Sequence, residues 1–267
     1  MSARAIRIPI ASLLALACES RAPEPSELAT REPEPTIEAP TSVEIEAPMK
    51  RSTRPTRPSE APAPCTLVDP PAGFVDLRVA IPSVRIAAGY HRPDNFTGAR
   101  LPGYEAAGAW FDETSARALT HAADELAAAG FGLIVHDAYR PRRASEAMVA
   151  WARAHDREDL LADGWVAARS LHNRGVAIDL GLYGLAEGEV IDMGSAWDHF
   201  GPTSSLRGVE GPALEHRLRL RAAMVRAGFE PYAREWWHFT DREREQAPVH
   251  DDPYRCRATL SEPALDQ

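Results

Sequence analysis

The chain has 267 residues, of which 44% are hydrophobic and 26% charged, so it is long enough for one catalytic domain and an additional segment. Its formal net charge of -9 argues against a nucleic-acid-binding protein, whose contact face would be basic. No apolar stretch in the sequence reaches the roughly 18 to 20 residues needed to span a bilayer. The sequence also shows no internal repeat.

The N-terminal residues 1–17 are predicted to be a signal peptide. Arg4 and Arg7 precede an apolar run that ends at Cys18, which is the arrangement of an export signal. The end of this run resembles a bacterial lipoprotein box, with Ala15 where Leu is usual, and it also satisfies the A-x-A pattern of ordinary cleavage. Both interpretations place the cleavage site immediately before Cys18. The first predicts an exported, periplasmic protein attached to a membrane through lipid on Cys18, and the alternative to export is a frayed apolar N-terminus of a cytosolic protein.

Residues 18–64 are predicted to be a disordered tether between the anchor and a folded domain. They hold ten of the 23 prolines and many glutamates, with no aromatic residue and no glycine. Such a segment buries too little apolar area to offset the entropy lost on ordering. Its Glu-Pro repeats favour an extended, semi-rigid spacer.

Two cysteines remain if Cys18 carries lipid, and they lie at the two ends of the predicted folded domain, residues 65–257. An even number of cysteines in an oxidising compartment predicts a disulfide between Cys65 and Cys256. The alternative is two unpaired thiols. Residues 258–267 are predicted to be a C-terminal tail.

Five helices and strands are predicted within this domain. In chain order they are a helix over residues 112–127, a strand over 131–135, a helix over 141–154, a strand over 176–182 and a helix over 213–227. Gly130 and Gly228 follow the first and third helices, and Pro141 opens the second, because proline fits the first helical turn. The irregular alternation predicts an α+β domain, built on a mostly antiparallel sheet with flanking helices.

The first group of chemically interesting residues surrounds His172. This histidine precedes a turn that contains Gly175, and Asp179 follows within an apolar run. A chain reversal near Gly175 would bring the imidazole and the carboxylate together. Asp179 lies between Ile178 and Leu180, where an unpaired charge would be costly without a partner or a metal ion.

The second group is residues 235–238, which offer Glu235 and His238. Together with His172 and Asp179, His238 completes a set of three zinc ligands that leaves a fourth position open for water, as catalytic zinc requires. Glu235 would stay off the metal and accept a proton from the water, whose pKa zinc lowers to about 7.

Each of these residues has a structural alternative. His172 would otherwise be a turn histidine beside a strand, and Asp179 a buried hydrogen-bonding carboxylate. Trp236 and Trp237 would pack in the core, which we expect for at least one of them. The other histidines lack such a context and are predicted to be structural or surface groups: His91, His121, His136, His155, His199, His216 and His250.

The pattern S-x-H-x-x-G-x-A-x-D at residues 170–179, followed by E-x-W-H at 235–238, resembles the D-alanyl-D-alanine dipeptidases of the vancomycin-resistance type, in zinc peptidase family M15. The resemblance covers about residues 75–255 and implies a zinc DD-peptidase fold of the hedgehog-like type. Four further segments look like family segments in the correct order: residues 94–98, 137–141, 193–198 and 228–230.

Carried over residue by residue, the resemblance implies one zinc per chain, with His172, Asp179 and His238 as its ligands. It also implies Glu235 as the general base and Arg140 as the cation that stabilises the tetrahedral oxyanion. A fixed cation aimed at developing charge in a dry site acts mainly on the transition state.

The resemblance further implies that Asp198 binds the free ammonium of the dipeptide and that Ser170 binds its carboxylate end. The alternative for Arg140 is a surface residue at the start of a helix. The signal peptide, the tether and the two flanking cysteines depart from the family pattern, because they are additions to a usually compact enzyme.

The expected function is zinc-dependent hydrolysis of D-Ala-D-Ala or a related cell-wall peptide, without a nucleic-acid partner. One alternative is a DD- or LD-carboxypeptidase that trims peptidoglycan stem peptides, which a periplasmic location would favour. Another is a non-catalytic module that binds zinc or the cell wall. Glu235 and Arg140 argue against such a module, since a pure binding protein needs neither.

Overall fold

The computed structural model describes residues 65–257. The predicted signal peptide, the tether with its Cys18 and the C-terminal tail lie outside the described residues. Within residues 65–257, no helix has the length and apolar character needed to cross a membrane.

The described residues form a mixed α and β structure, which confirms the predicted α+β class. The elements in chain order are β1 Phe74–Asp76, α1 Leu77–Ala80, β2 Arg85–Ile86, β3 Trp110–Asp112, α2 Glu113–Ala128, β4 Phe131–Asp137, α3 Arg142–Ala154, α4 Asp159–Ala162, β5 Ala177–Gly184, α5 Gly211–Arg226, β6 Glu230–Pro231 and β7 His238–Thr240. Each of the five elements predicted from the sequence is present, with ends within two residues of the prediction.

Strand β4 is longer than the sequence pattern predicts. The apolar run ends at Val135, but the strand continues to Asp137. Asp137 is 3% exposed, and its carboxylate accepts a hydrogen bond from Arg140. A buried polar residue therefore does not end this strand, because a cation further along the chain compensates its charge.

Five strands form the main sheet, in the order β2-β4-β5-β7-β6. The β2–β4 pair is parallel, and the β4–β5, β5–β7 and β7–β6 pairs are antiparallel. Strands β1 and β3 form a separate antiparallel pair. All eight residues of β5 are buried, as is typical of the central strand of a covered sheet.

Helices α2 and α5 cover this sheet and pack against each other. The core between them includes Leu119 and Leu126 of α2, Leu220 of α5, and Leu133 and Leu182 of the two central strands. The helical spacing of the apolar residues in α2 therefore matches the face that it buries. Burial of such side chains contributes on the order of 1.5–3 kcal/mol each.

A second cluster of mainly aromatic side chains joins the ends of the domain. Tyr254 is fully buried, and its hydroxyl accepts a hydrogen bond from the backbone N–H of Trp110 (3.0 Å) and donates one to the carbonyl of Tyr139 (2.8 Å). Close by in the chain, Cys256 forms a disulfide with Cys65. The C-terminal segment is therefore attached to the domain by a covalent bond and by a buried tyrosine.

Candidate active site

Three neighbouring strands carry acidic and imidazole side chains side by side. Asp179 of β5 pairs with His238 of β7 on one side and with Asp137 of β4 on the other. Residues that are directly opposite on adjacent strands point to the same face of a sheet. The register of β4, β5 and β7 thus brings these three side chains together.

A β-bulge in β4 makes this register possible. Val135 pairs with Leu180 and Asp137 pairs with Asp179, so His136 is an extra residue between them. Without the bulge, Asp137 would point to the opposite face, because side chains alternate along a strand. Bulges often lie next to active sites, where they redirect a side chain.

His172 enters the site from the short 3-10 turn Leu171–Arg174, which precedes β5. The side chain of Ser170 caps this turn by accepting a hydrogen bond from the His172 backbone N–H (3.3 Å). The turn ends at Gly175, whose φ of 66° is left-handed and whose Cα lies against Phe74, so that a Cβ there would overlap the ring. Glycine therefore allows the chain reversal that the sequence predicts.

Three side-chain atoms converge on one point in the site. The Nε2 atom of His172 lies 3.4 Å from Oδ1 of Asp179 and 3.2 Å from Nδ1 of His238. Nδ1 of His238 lies 3.0 Å from the same Asp179 oxygen. One ligand atom from each of these residues therefore lies close enough to the others to hold a single metal ion.

In each of the two imidazoles, the nitrogen that points away from the convergence point has its own hydrogen-bond partner, which leaves the converging nitrogen free. Nδ1 of His172 lies 2.7 Å from the carbonyl oxygen of Ala138, and a carbonyl only accepts, so this nitrogen carries the hydrogen. The other nitrogen of His238, Nε2, lies 3.2 Å from Oγ1 of Thr240. With hydrogens assigned to these outer atoms, two nitrogen lone pairs and one carboxylate oxygen face each other. Such outer bonds fix the tautomer of metal-binding histidines, and this donor set suits zinc.

Glu235 lies beside the converging atoms without joining them. Its Oε2 atom is 3.7 Å from Nδ1 of His238, and the residue is 8% exposed. Burial, together with the nearby charges of Asp179 and Asp198, raises the pKa of Glu235 well above its usual value. Burial likewise raises the pKa of Asp137 and lowers that of His238.

The pKa of Asp179 is shifted in the opposite direction from that of Glu235. Burial alone would raise the pKa of its carboxyl group, but His172 and His238 outweigh burial and hold the pKa well below its usual value. Asp179 is therefore ionised at neutral pH, as a metal-binding carboxylate must be.

Arg140 lies three residues after the end of β4 and is held in the site by Asp137. Its Nε atom donates a hydrogen bond to Oδ2 of Asp137 (2.9 Å), and its guanidinium lies 5.0 Å from the centre of the Tyr90 ring. Arg140 is 9% exposed. The alternative interpretation of Arg140 as a surface residue at a helix start is therefore wrong, because the side chain points into the domain rather than along α3.

Asp137 is a site residue that the sequence analysis missed. Besides Arg140, it contacts the hydroxyl of Tyr104, which donates a hydrogen bond to it, and its Oδ2 atom is 3.3 Å from Nδ1 of His172. The available signal was a carboxylate at the end of an apolar run, three residues before an arginine. Tyr90 was also missed, and nothing in its sequence context marked it.

Asp198 also lines the site. Its carboxylate accepts a hydrogen bond from the hydroxyl of Tyr90 (2.8 Å), and its backbone has a left-handed φ of 57°. Burial, followed by the charge of Asp179, raises the pKa of Asp198 well above its usual value. The preceding residue, Trp197, donates its indole N–H to Oδ2 of Asp179 (3.2 Å).

One small cavity connects these groups. Its volume is about 270 Å³, below the usual range for pockets that hold drug-sized ligands. Its lining includes the three converging residues and four further residues of the sequence prediction: Arg140, Ser170, Asp198 and Glu235. Asp137, behind Arg140, is buried as well. Of the three arginines that line the cavity, Arg140 is buried, whereas Arg169 and Arg242 are exposed. The buried carboxyl groups therefore outnumber the buried guanidinium, so the interior of the site favours a divalent cation and a cationic ligand group.

Several of the remaining predictions concern aromatic and histidine residues. Trp237 is 1% exposed and packs in the core, as expected for at least one of the two tryptophans. Trp236 also packs there, and its indole N–H donates to Oγ of Ser195 (3.0 Å). His136 is the bulge residue, and burial lowers its pKa to about 4.

The sheet, the ligand cluster and the adjacent carboxylate define a metal-dependent hydrolase. The sequence model of the M15 peptidases, described as D-Ala-D-Ala dipeptidase, matches residues 71–259. The chain therefore belongs to the M15 peptidase family, whose members are zinc metallopeptidases.

Similarity to individual proteins supports the same family assignment. A D-alanyl-D-alanine dipeptidase of Enterococcus faecium is 36% identical over 197 residues, which cover 68% of this chain and 94% of that protein. The D-alanyl-D-alanine dipeptidase of Streptomyces coelicolor is 36% identical over 196 residues, with the same coverage of both chains. The enzyme of that name from Escherichia coli is 33% identical over 185 residues, which cover 68% of this chain and 92% of the relative.

Proposed function

We propose that this chain is a zinc-dependent dipeptidase that hydrolyses D-Ala-D-Ala. The observation that carries the proposal is the single small cavity lined by His172, Asp179, His238, Glu235 and Arg140. A binding protein would need the three converging residues, but it would not need a buried carboxylate and a buried guanidinium beside them. The names of the relatives support the same substrate.

The residues around the proposed zinc site suit peptide hydrolysis. Zinc held by His172, Asp179 and His238 would supply a Lewis acid that lowers the pKa of water to about 7. Glu235, 3.7 Å from the His238 nitrogen, is placed to accept a proton from the attacking water and to pass it to the leaving amine. The Arg140 guanidinium, oriented by Asp137, supplies a fixed positive charge for the tetrahedral oxyanion.

Two polar residues of the cavity lining suit the two charged ends of a free dipeptide. Asp198 is the carboxylate that would receive the substrate ammonium, through charge-assisted hydrogen bonds. Ser170 lines the same cavity, and its hydroxyl is left with a hydrogen to donate to the substrate carboxylate, because its oxygen accepts from the His172 backbone. We propose these two roles as the basis of substrate choice.

Substrate length provides the test. The purified protein with zinc is assayed on D-Ala-D-Ala and on N-acetyl-D-Ala-D-Ala, which lacks the ammonium. We expect the acetylated substrate to react at least about a thousandfold more slowly, since binding it leaves the Asp198 carboxylate without a cationic partner. Asp198→Ala is expected to reduce that preference while zinc stays bound.

Other outcomes of this assay identify the alternatives. Comparable rates on the two substrates would assign the protein to the carboxypeptidases that trim stem peptides. Zinc binding without hydrolysis of either substrate would indicate a non-catalytic module.

We also propose that the protein is exported to the periplasm and anchored through lipid on Cys18, which lies outside the described residues. The Cys65–Cys256 disulfide supports export, because disulfides persist in oxidising compartments. Incorporation of labelled palmitate into the full chain, and its loss in Cys18→Ser, tests the anchor.

For the fold, we propose the hedgehog-like type of the zinc DD-peptidases. The three antiparallel pairings of the main sheet, against a single parallel one, support this assignment. Superposition of an experimental structure on such a peptidase tests it.

A further inference from the structure

The two oxygens of the Asp179 carboxylate have separate partners. Oδ1 faces the proposed metal position, 3.4 Å from Nε2 of His172 and 3.0 Å from Nδ1 of His238. Oδ2 accepts a hydrogen bond from the indole N–H of Trp197 at 3.2 Å. One oxygen is therefore free for a metal ion, and the other is engaged by a neutral donor.

The Trp197 ring is fixed in place from both sides. Its centre lies 4.7 Å from the Tyr90 ring and 5.5 Å from the His136 ring, to which it is nearly parallel at 9°. Its edge lies against the backbone of Gly89, so closely that a Cβ at this position would overlap the ring. The indole can therefore rotate little, and the direction of its N–H is set by packing.

The loop that carries Trp197 is itself anchored. Arg217 of α5 is fully buried, and its guanidinium donates hydrogen bonds to the carbonyls of Met193, Thr203 and Ser205 and to the hydroxyl of Ser195. These bonds tie both ends of the segment around Trp197 to one helix. The indole N–H is thus a preorganised donor rather than a side chain that meets Asp179 by chance.

We propose that Trp197 is a positioning residue that restricts Asp179 to binding the metal through Oδ1 alone. This inference rests on the proposed function, because it assumes a metal ion held by Asp179. A carboxylate that is free to rotate can offer both oxygens to a metal ion and raise its coordination number. The Trp197 hydrogen bond opposes that rotation, and so keeps a coordination position available for water or substrate.

The test compares Trp197→Phe with a matched control, Trp236→Phe. Phenylalanine keeps an aromatic ring in both places and removes the indole N–H. Trp236 is the control because its N–H donates to the neutral hydroxyl of Ser195 in the same loop, not to a proposed ligand. Zinc affinity is measured by competition with a chelator, and the visible absorption spectrum is recorded after cobalt replaces zinc.

We expect Trp197→Phe to bind zinc at least about tenfold more weakly than wild type, as is typical of changes to groups that hydrogen-bond a metal ligand. Its cobalt spectrum should lose intensity, because absorption weakens when a tetrahedral ion gains a further ligand. Trp236→Phe is expected to keep the wild-type affinity and spectrum.

Wild-type affinity and an unchanged cobalt spectrum in Trp197→Phe would overturn the inference. So would equal losses in both variants, which would indicate a general effect of packing. A wild-type protein that binds no zinc would instead overturn the proposed function together with the inference, so the two failures are distinguishable.

A second variant covers the case in which Trp197→Phe does not fold. Gly89→Ala keeps the indole but forces it away from its position, and it is expected to weaken zinc binding as well. Unchanged zinc affinity in a folded Gly89→Ala would overturn the inference.

Discussion

At the scale of single residues, four carboxyl groups in and beside one cavity differ in the contacts that hold them. Asp137 is paired with Arg140, and Asp198 accepts a hydrogen bond from a tyrosine. Asp179 faces two imidazoles and an indole. Among the described residues, none donates a hydrogen bond to the side chain of Glu235, whose Oε2 lies 3.7 Å from Nδ1 of His238. The lack of a hydrogen-bond donor sets Glu235 apart from the other three and suits the role of general base that we propose for it.

The first prediction concerns this residue. Glu235→Gln keeps the shape and burial of the side chain but cannot accept the proton, so we expect the turnover of D-Ala-D-Ala to fall at least about a hundredfold. The zinc content should stay at one per chain, because Glu235 is not among the converging ligand atoms. Steady-state kinetics and metal analysis of the same preparation measure both quantities. Unchanged turnover would contradict the proposed mechanism.

The second prediction concerns the Asp137–Arg140 pair. Asp137→Ala leaves the buried Arg140 without its carboxylate, which typically costs about 3–5 kcal/mol in the free energy of unfolding. The matched control is Asp159→Ala, which breaks the exposed pair with Arg157 and is expected to cost at most about 1 kcal/mol. Urea unfolding followed by circular dichroism measures both. Equal losses would show that Asp137 is not a buried support of Arg140.

At the scale of secondary-structure elements, the residue that caps the N-terminus of helix α2 also contacts a distant part of the chain. Asp112 precedes the helix, and its side chain accepts hydrogen bonds from the backbone N–H groups of Thr114 and Ser115. Arg244, far away in the chain, donates a further bond to it at 2.8 Å. The cap therefore also attaches the C-terminal part of the domain to the helix.

The third prediction is a pH dependence at this cap. Burial raises the pKa of Asp112, but the bonds from Arg244, Ser115 and Thr114 outweigh it and hold the pKa below its usual value. A carboxyl group with a lowered folded-state pKa adds stability above its unfolded pKa, and that stability is lost as the pH falls through the folded pKa. Asp112→Asn should therefore be less stable than wild type at pH 7, and the difference should narrow below about pH 4.

Unfolding free energies of the wild type and of Asp112→Asn, measured at a series of pH values, provide the check. The difference between them is the relevant quantity, because other groups titrate in both proteins alike. A difference that stays constant from pH 7 to pH 3 would show that Asp112 does not carry this dependence.

The same elements show what the sequence could and could not predict. Helices α2 and α3 and strands β4 and β5 are long enough for apolar spacing to mark them, with Asp112 and Pro141 at helix starts. Strands β6 and β7 have two and three residues, which is too short for any periodicity. Their existence depends on the pairing of β7 with β5 and of β6 with β7, which are tertiary interactions.

The residues of the site likewise fall into those that the sequence predicts and those that it does not. His172, Asp179, Glu235 and His238 were found because residue type and spacing carry the chemistry of a zinc site. The position of Asp137 depends on the bulge in β4 and that of Trp197 on an anchored loop, neither of which has a local sequence signal. Tyr90 lies on a separate turn and contacts Asp198 through a tertiary hydrogen bond.

At the scale of the whole molecule, the Cys65–Cys256 disulfide closes almost the entire domain. The two cysteines are separated by 191 positions in the sequence. On the chain-entropy model, a cross-link of this length restricts the unfolded chain strongly. The disulfide therefore acts on the stability of the domain as a unit rather than on one element.

The fourth prediction follows from this loop length. The double variant Cys65→Ser, Cys256→Ser is expected to lose about 5 kcal/mol in the free energy of unfolding, since the open chain gains conformational entropy. Wild type unfolded in the presence of a reductant is the control and should match the variant. Equal stability of the oxidised wild type and the variant would refute the stabilising role, and two free thiols in the exported protein would refute the bond itself.

The position of the proposed metal ligands in the sheet also has a kinetic consequence. Asp179 lies on β5, which is paired on both sides, whereas His238 begins the three-residue strand β7, whose outer neighbour is the short β6. Local opening of a native protein begins where the backbone is held by few partners. Of the two proposed ligands that lie on strands, we therefore expect His238 to be released first, so that local opening of β7 limits the rate at which a bound ion would leave. An ion bound at the proposed site would in turn join β7 to β5 and oppose the opening through which it would leave.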